Sequence, residues 1–431
     1  MKKNGTAAPL ITALAVLICV VGIMWKLNPG NNIAVKNKET SPSSSTAQAK
    51  PSNKDEEAVQ TSAENKSDEM LAVWVPYMSL MVDDEPSEQA FKDNYDNIVS
   101  VAKAHKMNAL VVHVRPYGDS MYMSDYFPFS HILTETQGEN PGYDAMKYMV
   151  EKTHESGLEF HAWINPLRIK VSETPPELSQ YSPYSLWQND DDESNDRYTM
   201  EYDGGIYLNP AYEKVREYIT GSIKELVSRY DVDGVHFDDY FYPDESEDYD
   251  SKEYNSYLNL LESSDNAMSH LEWRTENINS LVSGVYSGIK SVNSKVVFGI
   301  SPQGNISNDI KMGADIKTWG SISGYCDYLC PQNYFSKSNS TLPYNEAVES
   351  WRKLVTNKDI KLYIGLGLYK AGSDADNGTW LDSDENLKEQ IEFGRQKGVD
   401  GFMFYSFDYL ESEQTETEVK NVMNYLEQKT S

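Results

Sequence analysis

One pattern constrains this chain more than any other. From Met70 onward, short β-rich runs alternate with stretches of helical period. The runs cover 71–75, 109–115, 158–165, 234–238, 296–301, 328–332, 362–367 and 401–406, eight in all. Apolar residues recur at helical spacing in 95–105, 143–156, 212–230, 278–292, 344–355 and 386–397. Strands separated by helices cannot pair through hairpins, so they pair in parallel through crossovers. Eight such units predict an α/β chain closed into a (β/α)8 barrel of the TIM type, with long loops after its strands. Gly157 and Gly398, just past two of the helical stretches, stand where a helix ends in a left-handed turn. A doubly wound open sheet would want a glycine-rich phosphate loop after the first strand, and Val75-Pro76-Tyr77-Met78 offers none.

The barrel does not need all 431 residues. Residues 7–25 are uncharged and follow Lys2 and Lys3. A run of about 20 apolar residues spans a bilayer core, and the positive flank before it keeps the N-terminus inside. No Ala-x-Ala cleavage site follows, and Ile18 precedes Cys19 where lipoprotein processing wants a small residue. Residues 28–69 are polar, with almost no large apolar side chain, and cannot bury enough surface to order themselves. The sequence thus predicts a transmembrane anchor over 1–27, a disordered linker over 28–69 with a reach of about 35 Å, and a barrel domain over 70–431. The chain is expected to be a single-pass protein of the cell membrane with its barrel extracytoplasmic.

A formal charge of −29 argues against nucleic acid as a partner. Outside the apolar run the cysteines are Cys326 and Cys330. On one strand they would lie about 13 Å apart, too far for a disulfide, so they read as two small buried side chains. Asp374, Asp376 and Asn377 resemble part of a calcium loop, but Gly378 falls one place early for an EF-hand. No metal or cofactor is expected.

The alternation within the runs gives their faces. Val112 and Val114, Phe160, Ala162 and Ile164, and Val235 and Phe237 form one apolar set that would meet the helices. His113 and Arg115, His161, Trp163 and Asn165, and His236 and Asp238 then point into the barrel, as do Cys330, Gln332, Met403 and Tyr405. Polar groups therefore gather at the C-terminal mouth, where barrel enzymes keep their chemistry.

Glycoside hydrolysis asks for two carboxyl groups at the scissile bond. Asp238 ends the fourth run facing inward and suits the nucleophile or base, with Arg115 expected to hold it ionised. Asp239 is either the second carboxyl group or a residue that orients the loop. Adjacent residues on a strand face opposite ways, so both reach one bond only if the chain turns. The seventh run ends Gly365-Leu366-Gly367-Leu368-Tyr369, without the acid many barrel glycosidases carry there. Asp408, Asp382 and Asp384 are the other candidate proton donors. The 30 Tyr and 8 Trp supply rings for sugar stacking, and Tyr117, Tyr122, Tyr126, Trp163, Tyr240, Tyr242, Tyr334, Tyr369 and Tyr405 lie at or beyond strand ends.

Several of these stretches resemble the motifs of a known family. They are Asn108-Ala109-Leu110-Val111-Val112-His113-Val114-Arg115-Pro116, Ala162-Trp163-Ile164-Asn165-Pro166-Leu167-Arg168, Tyr207-Leu208-Asn209-Pro210, Asp233-Gly234-Val235-His236-Phe237-Asp238-Asp239-Tyr240-Phe241-Tyr242-Pro243 and Pro331-Gln332-Asn333-Tyr334. The family is glycosyl-hydrolase-like family ten, and the likeness runs over nearly all of 70–410. It implies a TIM-type barrel, placement outside the cytoplasm and glycosidase activity on bacterial wall or related glycans. It also implies site roles for Arg115, Asn165, Arg168, Asp238, Asp239, Gln332 and Asn333. The loop Ser301-Pro302-Gln303-Gly304-Asn305 departs from the family in lacking an aromatic-and-Arg segment, and an anchor replaces the lipoprotein signal.

The sequence thus predicts an anchored glycoside hydrolase without a cofactor. Asp238 and Asp239 would be catalytic, and Arg115, Tyr117, Trp163, Asn165, Arg168, Tyr240, Gln332, Asn333 and Tyr405 would bind a cell-wall glycan. Two readings compete with it. One is a glycan-binding barrel without catalysis, motivated by the unlocated proton donor. The other is a metal-dependent hydrolase or deacetylase built on His113, His161, His236 and Asp238.

Overall fold

The computed structural model describes residues 69–430, apart from 83–85, 240, 249, 264 and 265. Eight parallel strands close into a barrel in chain order. They are β1 (Met70–Val75), β2 (Ala109–Arg115), β3 (Glu159–Ile164), β4 (Gly234–Phe237), β5 (Val297–Ile300), β6 (Tyr328–Leu329), β7 (Lys361–Leu366) and β8 (Gly401–Phe404). β8 returns to pair with β1, Met70 opposite Gly401. The outer helices are α1 (Glu88–Ala104), α2 (Ala145–Glu155), α3 (Glu213–Arg229), α4 (His270–Val292), α5 (Ile316–Trp319), α6 (Tyr344–Leu354), α7 (Asn386–Gln396) and α8 (Glu416–Thr430). The predicted anchor and most of the linker lie outside the described residues. Among the described residues no helix is long and apolar enough to cross a membrane.

Every predicted run contains a strand, and the predicted helices are present. α1 and α4 begin earlier than their apolar periodicity does. Their first turns are polar and are held by caps: the Ser87 side chain accepts from the Ala90 N–H at 3.2 Å, and Ser269 forms a capping box with Glu272. Periodicity marks only the part of a helix that presses on the barrel. Gly157 and Gly398 take left-handed conformations, φ 77° and 71°, just beyond α2 and α7.

Two apolar layers result. Val112, Val114, Phe160, Ala162, Ile164, Val235 and Phe237 pack between strands and helices, while Ala72, Trp74, Val111, Trp163, Tyr328, Cys330 and Met403 fill the barrel. Glycines make room for the largest of these. A Cβ on Gly299 would stand 1.8 Å from Tyr328 Cζ, and one on Gly234 would stand 2.6 Å from His161 Nδ1. Cys326 lies in the outer layer and Cys330 inside, both free and buried.

A hydrogen-bonded chain crosses this interior. Trp74 Nε1 donates to His236 Nε2 at 3.2 Å, so the His236 proton sits on Nδ1 and reaches the Tyr328 hydroxyl at 2.9 Å. That hydroxyl in turn donates to His161 Nδ1 at 3.0 Å. Burial and the neighbouring His161 push His236 well below the usual imidazole range, so it is neutral. Both His236 nitrogens and His161 Nδ1 are thus bonded within the barrel core, while His161 Nε2 makes no hydrogen bond and lies 3.7 Å from Glu159.

Arg115 departs from expectation. The β2–β3 register shifts between His113 and Arg115, so that Arg115 stands opposite the outward-facing Ile164. A one-residue shift reverses the face on which a side chain lies. The guanidinium consequently sits 4.3 Å over the Phe127 ring instead of beside Asp238.

Between β3 and α3 the chain forms an antiparallel sheet of Arg168–Lys170, Gly205–Leu208 and Thr199–Tyr202, in that spatial order. The alternation of runs did not anticipate it. The calcium-like loop is occupied by protein groups: Asp376 accepts Lys370 Nζ at 2.9 Å on one oxygen and the Ser336 N–H at 2.9 Å on the other.

Candidate active site

Of the eight strands, β4 alone is followed within two residues by carboxylates. Asp238 is 3% exposed. Its Oδ2 accepts Trp163 Nε1 at 3.0 Å and Asn165 Nδ2 at 2.5 Å, an arrangement that fits a carboxylate acceptor. Each donor is itself fixed. Trp163 stacks on His113 with centroids 3.6 Å apart and planes 7° from parallel. Asn165 Oδ1 accepts Arg168 Nη2 at 2.7 Å and also His113 Nε2. Burial, with the charge of Arg168, depresses His113 well below the ordinary imidazole range. It is therefore neutral, and its single proton must sit on Nε2 to make that bond.

Arg168 takes the place that the sequence suggested for Arg115. Its Nε donates to the Pro116 carbonyl at 2.8 Å, and its guanidinium lies 5.1 Å over the Tyr117 ring. The Tyr117 hydroxyl meets Tyr77 at 2.9 Å. The cation thus reaches Asp238 through the Asn165 amide, and its charge also acts on Asp239.

Asp239 is half-buried, and Gln332 Nε2 donates to its Oδ1 at 3.0 Å. Burial raises its carboxyl above the ordinary aspartate range; hydrogen bonds from Gln332 and Gln303 and the Arg168 charge offset part of that. Behind it lies Asp309, almost fully buried, whose Oδ1 accepts the Gln303 N–H at 2.8 Å while Oδ2 has no partner. Burial pushes Asp309 well above the usual range, and the nearby Asp239 adds to this. One carboxyl group at the mouth is thus held by two N–H donors, while burial raises the next above the ordinary aspartate range. Such a split is how one site assigns acid and anion roles to like groups.

Aromatic rings wall the opening. Tyr405 faces Trp163 at 6.5 Å, Trp74 at 6.0 Å, Tyr369 at 6.0 Å and stacks on Tyr334 at 5.6 Å. Burial, with the Asp238 charge, raises its phenol. Tyr122, Tyr126 and Tyr242 pack in the outer layer instead, against Tyr230, Tyr218 and Arg274. Asn333 is fully buried with neither side-chain atom hydrogen-bonded, pressed against Gly304. Tyr240 lies outside the described residues.

The other candidate donors are placed as follows. Asp408 is exposed at the rim and accepts the Ser79 hydroxyl at 2.8 Å. Asp382 and Asp384 are exposed in the loop before α7, and the Asp384 carbonyl accepts from Asn421 of α8 at 2.8 Å. Sequence reasoning overlooked Trp74, Tyr77, Gln303 and Asp309. Alternation from Ala72 would have turned Trp74 inward; nothing in 306–311 marks Asp309.

A (β/α)8 barrel with a carboxylate pair after its fourth strand defines a glycosidase-like class of site. Residues 69–382 match the family described as Glycosyl hydrolase-like 10, and the chain belongs to that family. It is 34% identical over 364 residues to the glycosyl hydrolase YngK of Bacillus subtilis, covering 78% of this chain and 68% of that protein. It is 30% identical over 382 residues to the glycosyl hydrolase DigH of Escherichia coli K12, covering 80% and 82%. Among solved structures, the PgaB (BpsB) glycoside hydrolase domain of Bordetella bronchiseptica has the same fold. It has a TM-score of 0.52 at 14% identity, over 82% of this chain and 99% of that one.

Proposed function

We propose that this chain is a glycoside hydrolase, anchored by residues 1–27, tethered by 28–69 and carrying its barrel outside the cytoplasmic membrane. Its substrate is a cell-wall glycan of the peptidoglycan type. The observation that carries the reading is the divided pair after β4, with donors converging on Asp238 and a proton favoured on Asp239. Asp239 protonates the leaving oxygen, and Asp238 stabilises the positive charge that develops at the sugar. Trp163, Tyr405 and Tyr117 offer the sugar its apolar faces, Arg168 and Asn165 hold Asp238 in place, and Gln332 holds Asp239. Family membership and the two hydrolase-named relatives support the hydrolase; the charge-free run at 7–25 supports the anchor.

Product analysis on purified peptidoglycan glycan strands, with and without stem peptides, tests this. Wild type is expected to release shortened strands, and Asp238→Asn and Asp239→Asn to bind strands without releasing product. Equal binding by all three proteins with no product from any would instead identify a glycan-binding barrel.

A further inference from the structure

The loop that follows β5 runs beside Gln332, the residue that holds Asp239. Gln303 and Gln332 form a parallel bridge, the Gln332 N–H donates to the Pro302 carbonyl at 2.9 Å, and Gln332 Nε2 donates to the Ser301 carbonyl at 3.1 Å. Two neighbouring residues of the short helix Ile306–Lys311 then grip Gln303. Asn308 Nδ2 donates to Gln303 Oε1 at 3.0 Å, which leaves the Gln303 amide nitrogen to donate to Asp239. Asp309 Oδ1 accepts the Gln303 backbone N–H at 2.8 Å. Asp309 is 3% exposed, and its second oxygen is buried without a hydrogen-bond partner. Ionised, it would bury a charge against a single N–H donor; protonated, it keeps the same acceptor at far lower cost. Burial accordingly holds the proton on Asp309 well above the ordinary aspartate range.

We propose that Asp309 is a positioning residue for the proton donor, holding Gln303 so that its amide donates to Asp239 as Asp239 passes its proton to the leaving oxygen. This rests on the reading of Asp239 as the acid. In that step the Asp239 O–H bond breaks, an O–H bond forms on the leaving oxygen, and a carboxylate remains. The protonated carboxyl gains little from an amide donor, whereas the carboxylate gains much, so Gln303 stabilises the state after transfer more than the state before it. Asp309 acts through Gln303. As a neutral group it fixes the Gln303 backbone without adding a charge that would oppose the new anion.

The test measures kcat, KM and the pH profile of the full-length protein on peptidoglycan glycan strands. Gln303→Met, which keeps the length of the side chain and loses the donor, should lower kcat by about tenfold to a hundredfold with KM within about threefold. Asp309→Leu should do the same, and the double variant should lose little more than either alone. In each, the alkaline limb of kcat should move to higher pH, because the lost donor favoured the Asp239 anion. Asp309→Asn, neutral and still an acceptor, should restore kcat to within about threefold of wild type. Additive losses, an unmoved alkaline limb, or wild-type kcat in Gln303→Met or in folded Asp309→Leu overturns the proposal and leaves the hydrolase reading standing. Should Asp309→Leu fail to fold, the other two single variants decide: a loss of about tenfold in Asp309→Asn overturns the proposal as well. Absence of product from wild type overturns the hydrolase reading, and this proposal with it.

Discussion

The barrel holds two polar networks at different heights, and they are built on opposite logic. The lower one, Trp74–His236–Tyr328–His161, runs in a line of single hydrogen bonds from ring to ring. The upper one is branched and charged: His113 and Arg168 converge on Asn165, which with Trp163 converges on Asp238. A buried network that closes on itself fixes a core. A network that converges on one carboxylate at an open mouth prepares a group for something outside the protein. Histidines occur in both, so residue type does not separate structure from chemistry; the direction of the hydrogen bonds does.

The comparison breaks most visibly at the top. Asp239→Asn should lower kcat on natural strands by about 10²–10⁴-fold while the protein stays folded by circular dichroism. A substrate with an activated aryl leaving group should recover much of that rate, since it needs less acid assistance. The lower network should respond in the other observable. Gly299→Ala forces a methyl into the Tyr328 ring and should cost about 3 kcal/mol or prevent folding, read by urea unfolding. Tyr328→Phe, which removes one hydroxyl and leaves two ring nitrogens short of a partner, should cost about 1–3 kcal/mol and leave kcat/KM of the folded protein nearly unchanged.

The two arginines sharpen the contrast further. Arg168→Met should lower kcat/KM by about tenfold to a hundredfold, the value of a charge-assisted hydrogen bond. Arg115→Met should affect unfolding and leave catalysis alone.

The smallest effects concern pH. Activity should fall as pH rises through the raised Asp239 value, because the donor loses its proton. Asp309 gives a stability effect of the same sign. Its folded carboxyl holds a proton well above the unfolded value of about 3.9. The native state therefore binds more protons than the unfolded state over that window, and stability declines as pH rises from about 4 toward the folded value. Asp309→Asn should flatten that decline in denaturant titrations made across the same range.

Much of this was legible in the sequence, for identifiable reasons. The faces of β3 and β4 followed from strict alternation, which brought Trp163, Asn165 and Asp238 together correctly. The same rule misplaced Arg115, because a register shift leaves no mark in a run as apolar as 109–115. Arg168 took its place from three residues beyond Asn165, on a strand of the inserted sheet that periodicity did not disclose. Asp309 was invisible for another reason: its significance comes from burial beside Asp239, a contact between distant loops that no local pattern encodes.

The inserted sheet has a consequence for how such a barrel changes over time. Arg168 opens its first strand and at the same time touches Asn165, so the segment between β3 and α3 brings part of the charge around Asp238 with it. Exchanging that segment between related barrels would transplant a charge along with a surface. A chimera that keeps Asp238 but receives a foreign insertion should need a cation at the equivalent position before it works.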